Sequence, residues 1–232
     1  MSRYDLSRDD AGALLAGEPA YRVEQLFDGL YHRLEAPHEN TALPRALRDR
    51  LGGEAALAPA LVVEHAATAD RAMTLKWLLR LHDGARIETV LMHHPSHSTV
   101  CVSSQAGCAM ACSFCATGHA GFTRQLSVGE IVEQVVLAMR AAREGGRRLD
   151  NVVFMGMGEP LANAATVLAA LRVMTGELGL GARHLTVSTV GVVPGIRKLA
   201  TEPLQVNLAV SLHAANDELR NRLVPLNKRY PI

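Results

Sequence analysis

Three cysteines on one short stretch raise the first chemical question. Cys108-Ala-Met-Ala-Cys112-Ser-Phe-Cys115 has C-x3-C-x2-C spacing, and thiolates are soft ligands suited to iron–sulfur clusters and to zinc. Three Cys from one loop can hold three corners of a [4Fe-4S] cube, leaving the fourth iron open to a substrate. Structural zinc is the rival, with His119 completing a tetrahedral set. Downstream, Gly156-Met-Gly-Glu159-Pro160 follows an apolar stretch. Its glycines let the backbone approach a ligand closely, and Glu159 offers a carboxylate to an ammonium group. Standing alone, the same five residues could be a tight turn with a solvated Glu. His93-His94-Pro95-Ser96-His97 reads as a solvated loop, because Pro95 breaks any regular ligand-presenting element.

Composition narrows the setting of this chemistry. The 232 residues are 48% hydrophobic and 20% charged, which excludes a disordered chain and supports a sizeable core. Aromatics make up only 4%, so that core must be aliphatic. All four cysteines lie between positions 101 and 115, whereas a disulfide framework would spread them through the chain. The net charge of +1 argues against a strongly basic nucleic-acid coat and confines any such contact to local patches. Arg140, Arg143, Arg147 and Arg148 form one basic run; Arg220, Arg222, Lys228 and Arg229 form another. Both also fit an ordinary solvated face. No apolar run is long enough to span a membrane, and the opening MSRYDLSRDDAGALL carries charges where a signal peptide needs apolar residues. A cytoplasmic monomer is expected.

The elements that must position these residues fall into three parts. Residues 1–60 carry a net charge of −3 and read as a small helical module. Ser7 and Asp10 are a capping pair for its first helix, Val23, Leu26, Phe27, Leu30 and Tyr31 keep a helical period, and a third helix runs through Pro44 to Leu51. Residues 61–97 read as a β-hairpin with linker: Met73, Leu75, Trp77, Leu79 and Leu81 alternate, Asp83-Gly84 turns, and Arg86 to Leu91 returns. From 98 to 232 strands and helices alternate in about four βα units, implying a parallel sheet with right-handed crossovers. Ser127 with Glu130 caps the helix of the first unit. The cysteine loop then follows the first parallel strand at its carboxyl end, where α/β barrels place their chemistry.

With these blocks in order, the sequence resembles the radical SAM enzymes, and more narrowly their RlmN/Cfr group. Cys101-Val-Ser-Ser-Gln-Ala-Gly-Cys108, Gly156-Met-Gly-Glu-Pro160, Ser188-Thr-Val-Gly-Val-Val-Pro194 and Ser211-Leu-His-Ala214 carry the resemblance. It extends to Tyr21–His32 and Asn216–Lys228. The resemblance implies an α/β fold with a partial (βα) radical SAM barrel, and methylation of an adenosine ring carbon in 23S rRNA and tRNA. Carbon 2 is expected, with Cfr-like methylation at carbon 8 as the alternative. It implies a [4Fe-4S] cluster on Cys108, Cys112 and Cys115, S-adenosyl-L-methionine as cofactor, and an external electron donor. It places Gly158 and Glu159 at the methionine portion of that cofactor, with Ser188, Ser211, Leu212 and His213 contacting it from the third and fourth strands. Glu88 matches the family's proton acceptor, and Cys101 a cysteine that helps resolve a protein–RNA intermediate.

One member of the family's pattern is missing. The methyl-carrying cysteine lies beyond the last matching block, and no fifth cysteine occurs among these 232 residues. The chain by itself is therefore expected not to complete methylation by the family route, and the strand at Gln205–Ser211 is expected to present an open sheet edge. A reading from another class is a zinc-stabilised RNA-binding module without catalysis.

Overall fold

The computed structural model describes residues 2–232. The N-terminal segment folds as expected into short helices, α1 (Arg8–Leu14), α2 (Tyr21–Phe27) and α3 (Arg45–Gly52). Ser7 and Asp10 form a reciprocal capping box at the start of α1. The helical period after Pro19 continues past α2 as a π-helical turn over Asp28–Arg33. Its apolar stripe, Leu26, Phe27, Leu30 and Tyr31, is buried.

Three antiparallel strands follow, β1 (Leu61–Ala69), β2 (Thr74–Leu81) and β3 (Arg86–His93). The β2–β3 hairpin turns at Asp83-Gly84, where Gly84 adopts φ +84°. β1 was not anticipated: nearly all of it is exposed, so no alternation betrays it. Beyond it come β4 (Ser98–Cys101), β5 (Gln105–Gly107), α4 (Ala116–His119), β6 (Phe122–Gln125) and α5 (Val128–Glu144). The remaining units are β7 (Asn151–Phe154) with α6 (Ala164–Gly176), β8 (Leu185–Thr189) with α7 (Val193–Ala200), and β9 (Asn207–Val210) with α8 (Asp217–Leu223).

One seven-stranded sheet runs in the order β1-β2-β3-β4-β7-β8-β9. β4, β7, β8 and β9 are mutually parallel, and β3 joins β4 antiparallel, so the hairpin extends the parallel sheet. β5 and β6 form a separate two-stranded ribbon around the cysteine loop. Period-two alternation divides the large sheet into two faces. Ile87, Leu91, Val100, Val152, Phe154, Leu185 and Val187 are buried on one of them, within the aliphatic core. On the other, Glu88, Val90, Thr99, Cys101, Val153, Thr186 and Ser188 are only half-buried. Phe154, 1% exposed, anchors the strand that leads into the Gly156–Pro160 turn. Phe154→Ala should therefore cost about 3–5 kcal/mol, read as a lowered urea midpoint. β9 stands at the sheet edge with Leu208 and Val210 exposed.

Among the described residues no helix is long and apolar enough to cross a membrane.

Candidate active site

The carboxyl ends of four parallel strands converge on one cavity of about 470 Å³. Cys108, Cys112 and Cys115 line one side, beyond β4. Gly156, Gly158 and Glu159 follow β7; Ser188, Thr189 and Val190 close β8; Ser211 and His213 lie past β9. Of the residues expected at the cofactor, only Leu212 does not line this cavity; its side chain is 46% exposed.

The cysteine loop is held by its own backbone. Cys108 N–H donates to Gly121 O at 2.8 Å, Cys115 N–H to Cys112 O at 3.1 Å, and Ser113 N–H to Leu223 O on α8 at 3.0 Å. The ribbon beneath it requires Gly107: φ is +80°, and a Cβ there would lie 2.1 Å from Gly121 O. Behind the loop, Gln134 on α5 is buried and fully used. Its Oε1 accepts from Ser103 N at 2.8 Å and Thr89 Oγ1 at 2.7 Å, while its Nε2 donates to Ser103 O at 3.0 Å.

Three thiols from one loop make a soft donor set. Among the described residues no three His, Cys, Asp or Glu side chains converge tightly enough to hold one metal ion. His119, the fourth ligand of the zinc alternative, donates Nε2–H to Ser113 O at 2.9 Å and stays within its own loop. A [4Fe-4S] cube takes Cys thiolates as ligands, the donor type these three supply. Burial pushes the Cys108 and Cys112 thiols up, and the charge of neighbouring cysteines adds to this. A cationic metal core held there would remove that penalty, and its loading would release protons.

Glu159 lines the cavity and also serves the backbone around it. It is 2% exposed, with Oε1 accepting from Leu161 N at 3.0 Å and Oε2 from Val190 N at 2.8 Å. Burial pushes its pKa up, and these backbone donors pull it back. Its carboxylate therefore ties the β7 turn to the end of β8. The same turn is fixed from below by Gln105, whose Oε1 accepts from Glu159 N at 2.8 Å and whose Nε2 donates to Gln125 Oε1 at 2.9 Å. Gln105 was missed from sequence although it sits inside the Cys101–Cys108 block; a polar side chain on a three-residue strand carries no periodic signal.

Glu88 and Cys101 lie outside the cavity, on the half-buried face of the sheet. Val90 pairs with Cys101 across β3 and β4, so Glu88, two residues away, shares its face. Glu88 Oε1 meets Lys76 Nζ at 2.5 Å, with both side chains about half exposed. Burial pushes the Cys101 thiol up, with a smaller opposing hydrogen bond from the Met155 backbone. A raised pKa leaves less thiolate at neutral pH than an ordinary cysteine has. Iodoacetamide should accordingly label Cys101 slowly at pH 7, with the rate still rising above pH 9; mass spectrometry of the tryptic peptide reads this directly.

The two basic runs separate. Arg140 pairs with Glu39, Arg143 donates to Arg33 O and His32 O, Arg147 to His94 O, and Arg148 meets Asp150. These side chains brace the fold. Arg220 is not a surface cation at all: it is 3% exposed. In the His-rich loop, residues 94–97 are exposed, His94 and His97 stack at 4.5 Å, and His93 Nδ1 meets Ser98 Oγ at 2.8 Å.

Residues 102–230 match the radical SAM superfamily, spanning the cysteine loop and all four strand ends. The chain belongs to the radical SAM superfamily. The radical SAM protein is 53% identical over 98% of its length to a probable dual-specificity RNA methyltransferase RlmN of Frankia casuarinae, and covers 57% of that relative. It is 50% identical over its full length to the corresponding RlmN protein of Mycobacterium ulcerans, covering 65% of it. A crystal structure of a radical SAM methyltransferase from Sphaerobacter thermophilus superposes with a TM-score of 0.94 at 50% identity, over 100% of this chain and 69% of that one. The radical SAM protein thus spans about three-fifths of the length of these curated relatives.

Proposed function

We propose that this chain is the cluster- and cofactor-binding part of an S-adenosylmethionine-dependent radical RNA methyltransferase. The observation that carries the reading is the single cavity in which three thiols meet the ends of β7, β8 and β9. Cys108, Cys112 and Cys115 would ligate a [4Fe-4S] cluster, which when bound supplies the electron for reductive cleavage of S-adenosyl-L-methionine. Gly158, at φ +106° and packed too closely on Gln105 for any side chain, brings the backbone of the turn to the cavity, where it would meet the methionine portion. Glu159 holds that turn in place. Ser188, Ser211 and His213 supply the opposite wall, and Leu212, exposed between the last two, would reach the cofactor from outside that lining. Ser188 Oγ donates to Phe154 O at 2.6 Å, which leaves its lone pairs as acceptors toward the cavity.

The RNA would approach over the half-buried face of the sheet. Met155, 51% exposed, connects the cavity with Cys101 and Glu88 on that face. Glu88, paired with Lys76, would accept a proton there, and Cys101 would act on a protein–RNA intermediate. A base from folded 23S rRNA or tRNA must leave its stack to reach such a pocket. Methylation at carbon 2 of adenosine is the position the resemblance of the sequence blocks implies, and the electron donor would be a separate cytoplasmic protein.

The test is anaerobic. The chain, reconstituted with iron and sulfide, is reduced in the presence of S-adenosylmethionine, and the nucleoside products are separated. Formation of 5′-deoxyadenosine with methionine is expected. Intact S-adenosylmethionine beside a fully loaded cluster would overturn the reading.

A further inference from the structure

Among the described residues Arg220 is the one arginine or lysine that is fully buried, at 3% exposure. No carboxylate pairs with it directly. Its guanidinium is spent instead on carbonyl oxygens. Nη2 donates to Val190 O at 2.6 Å and Ser211 O at 3.4 Å, and Nε donates to Leu212 O at 3.0 Å. Nη1 donates to Asn227 Oδ1, and Asn227 passes the contact on to Asp217 Oδ1 at 2.9 Å.

Three of these acceptors lie just past the ends of β8 and β9, on the wall opposite the thiols. Val190 is gripped from both sides, because its N–H donates to Glu159 Oε2 at 2.8 Å. Leu212 O also accepts from Ala214 N at 2.8 Å, closing a tight turn over His213. His213 sits at φ +60°, a conformation that a residue with a Cβ keeps only when its surroundings enforce it. The same helix reaches the cysteine loop, since Leu223 O accepts from Ser113 N at 3.0 Å. The Phe114 ring then leans on His213 at 4.4 Å. A planar fork that reaches three carbonyls at once is a geometry lysine cannot reproduce.

We propose that Arg220 is a positioning residue that sets the S-adenosylmethionine wall of the cavity against the cysteine loop. It does not line the cavity; it holds Val190 and Ser211, which do, and Leu212 between Ser211 and His213. This rests on the cofactor reading above and assigns a role to a residue that never touches the cofactor.

Hydrogen exchange of the cofactor-free protein tests the holding. R220Q should lose protection over residues 188–192 and 209–214 while β4 and β7 keep theirs, and R220K should fall between it and wild type. On reconstituted protein, the electron paramagnetic resonance signal of the reduced cluster is followed as S-adenosylmethionine is added. R220Q should keep its iron but need about tenfold more S-adenosylmethionine for the same spectral change, with partial rescue in R220K. Should R220Q fail to fold, R220K alone decides, by the same two readouts. Unchanged exchange in both segments, or a wild-type response to S-adenosylmethionine, would overturn the proposal. If wild type itself gave no spectral response, the cofactor reading would fail, and the exchange data would still decide whether Arg220 holds the two strand ends.

Discussion

Cys112→Ser protein, reconstituted with iron and sulfide, should carry about tenfold less iron than wild type, or lower still. Changing a partner outside the coordination sphere already costs roughly 10–100-fold in metal affinity, so losing a ligand costs no less. Cys108→Ser and Cys115→Ser should behave alike. The fold should survive, because the loop is tied by Cys108 N–Gly121 O, Ser113 N–Leu223 O and Cys115 N–Cys112 O, none of which uses a thiol. Cys101→Ser is the control. Its side chain lies on the half-buried sheet face and does not line the cavity, so iron and sulfide content should match wild type. A Cys112→Ser protein with a full complement of iron would show that the three thiols are not the ligands.

Gly158→Ala should have the second-largest effect. Gly158 has φ +106°, and an added Cβ would lie 2.6 Å from Gln105 Cβ and 2.8 Å from Gln105 N. Neither neighbour is the free end of a flexible side chain, so the turn itself must move. The backbone conformation costs roughly 1–2 kcal/mol for a residue with a Cβ, and forced overpacking typically about 1–3 kcal/mol more. Movement of the turn also breaks the contact between Glu159 N and Gln105 Oε1, 2.8 Å long in the native protein. The variant should melt earlier and bind S-adenosylmethionine at least about tenfold more weakly, while its cluster content stays near normal. Gly176→Ala, at a position with nothing within 4 Å of the added Cβ, should do neither. Equilibrium dialysis with labelled S-adenosylmethionine measures the difference.

Much of this architecture was legible because it is local. Ser127 and Glu130 announce the start of α5 by a capping box that the structure contains. Asp83-Gly84 announces the hairpin, and the alternation of β2 and β3 reflects one truly buried face. The four βα units follow from spacing alone. The elements that escaped are those whose burial pattern is silent. β1 is exposed along almost its whole length, so its nine residues show no period. β5 has three residues, too few for alternation to register.

The candidate site was legible where its residues are contiguous and illegible in its supports. Cysteine spacing and the Gly156–Pro160 turn are contiguous in sequence, and the structure gathers both around one cavity. Gln105, Gln134 and Arg220 act across 20 to 30 residues of chain or more through buried polar contacts. No local pattern marks such residues. Arg220 in particular looks like one of a surface run, since arginines are almost never fully buried unless paired; here backbone carbonyls and Asn227 take the place of a carboxylate. Glu159 shows the converse: it stands out in the sequence, while the contacts of its carboxylate with the backbone of Leu161 and Val190 do not.

The central claim is that one cavity holds a three-cysteine cluster with an iron left for the cofactor. Mössbauer spectroscopy of the anaerobically reconstituted chain, before and after S-adenosylmethionine is added, addresses it most directly. One iron of four should change its isomer shift on addition while the other three keep theirs. A spectrum indifferent to S-adenosylmethionine, or a colourless protein carrying one zinc per chain, would contradict it.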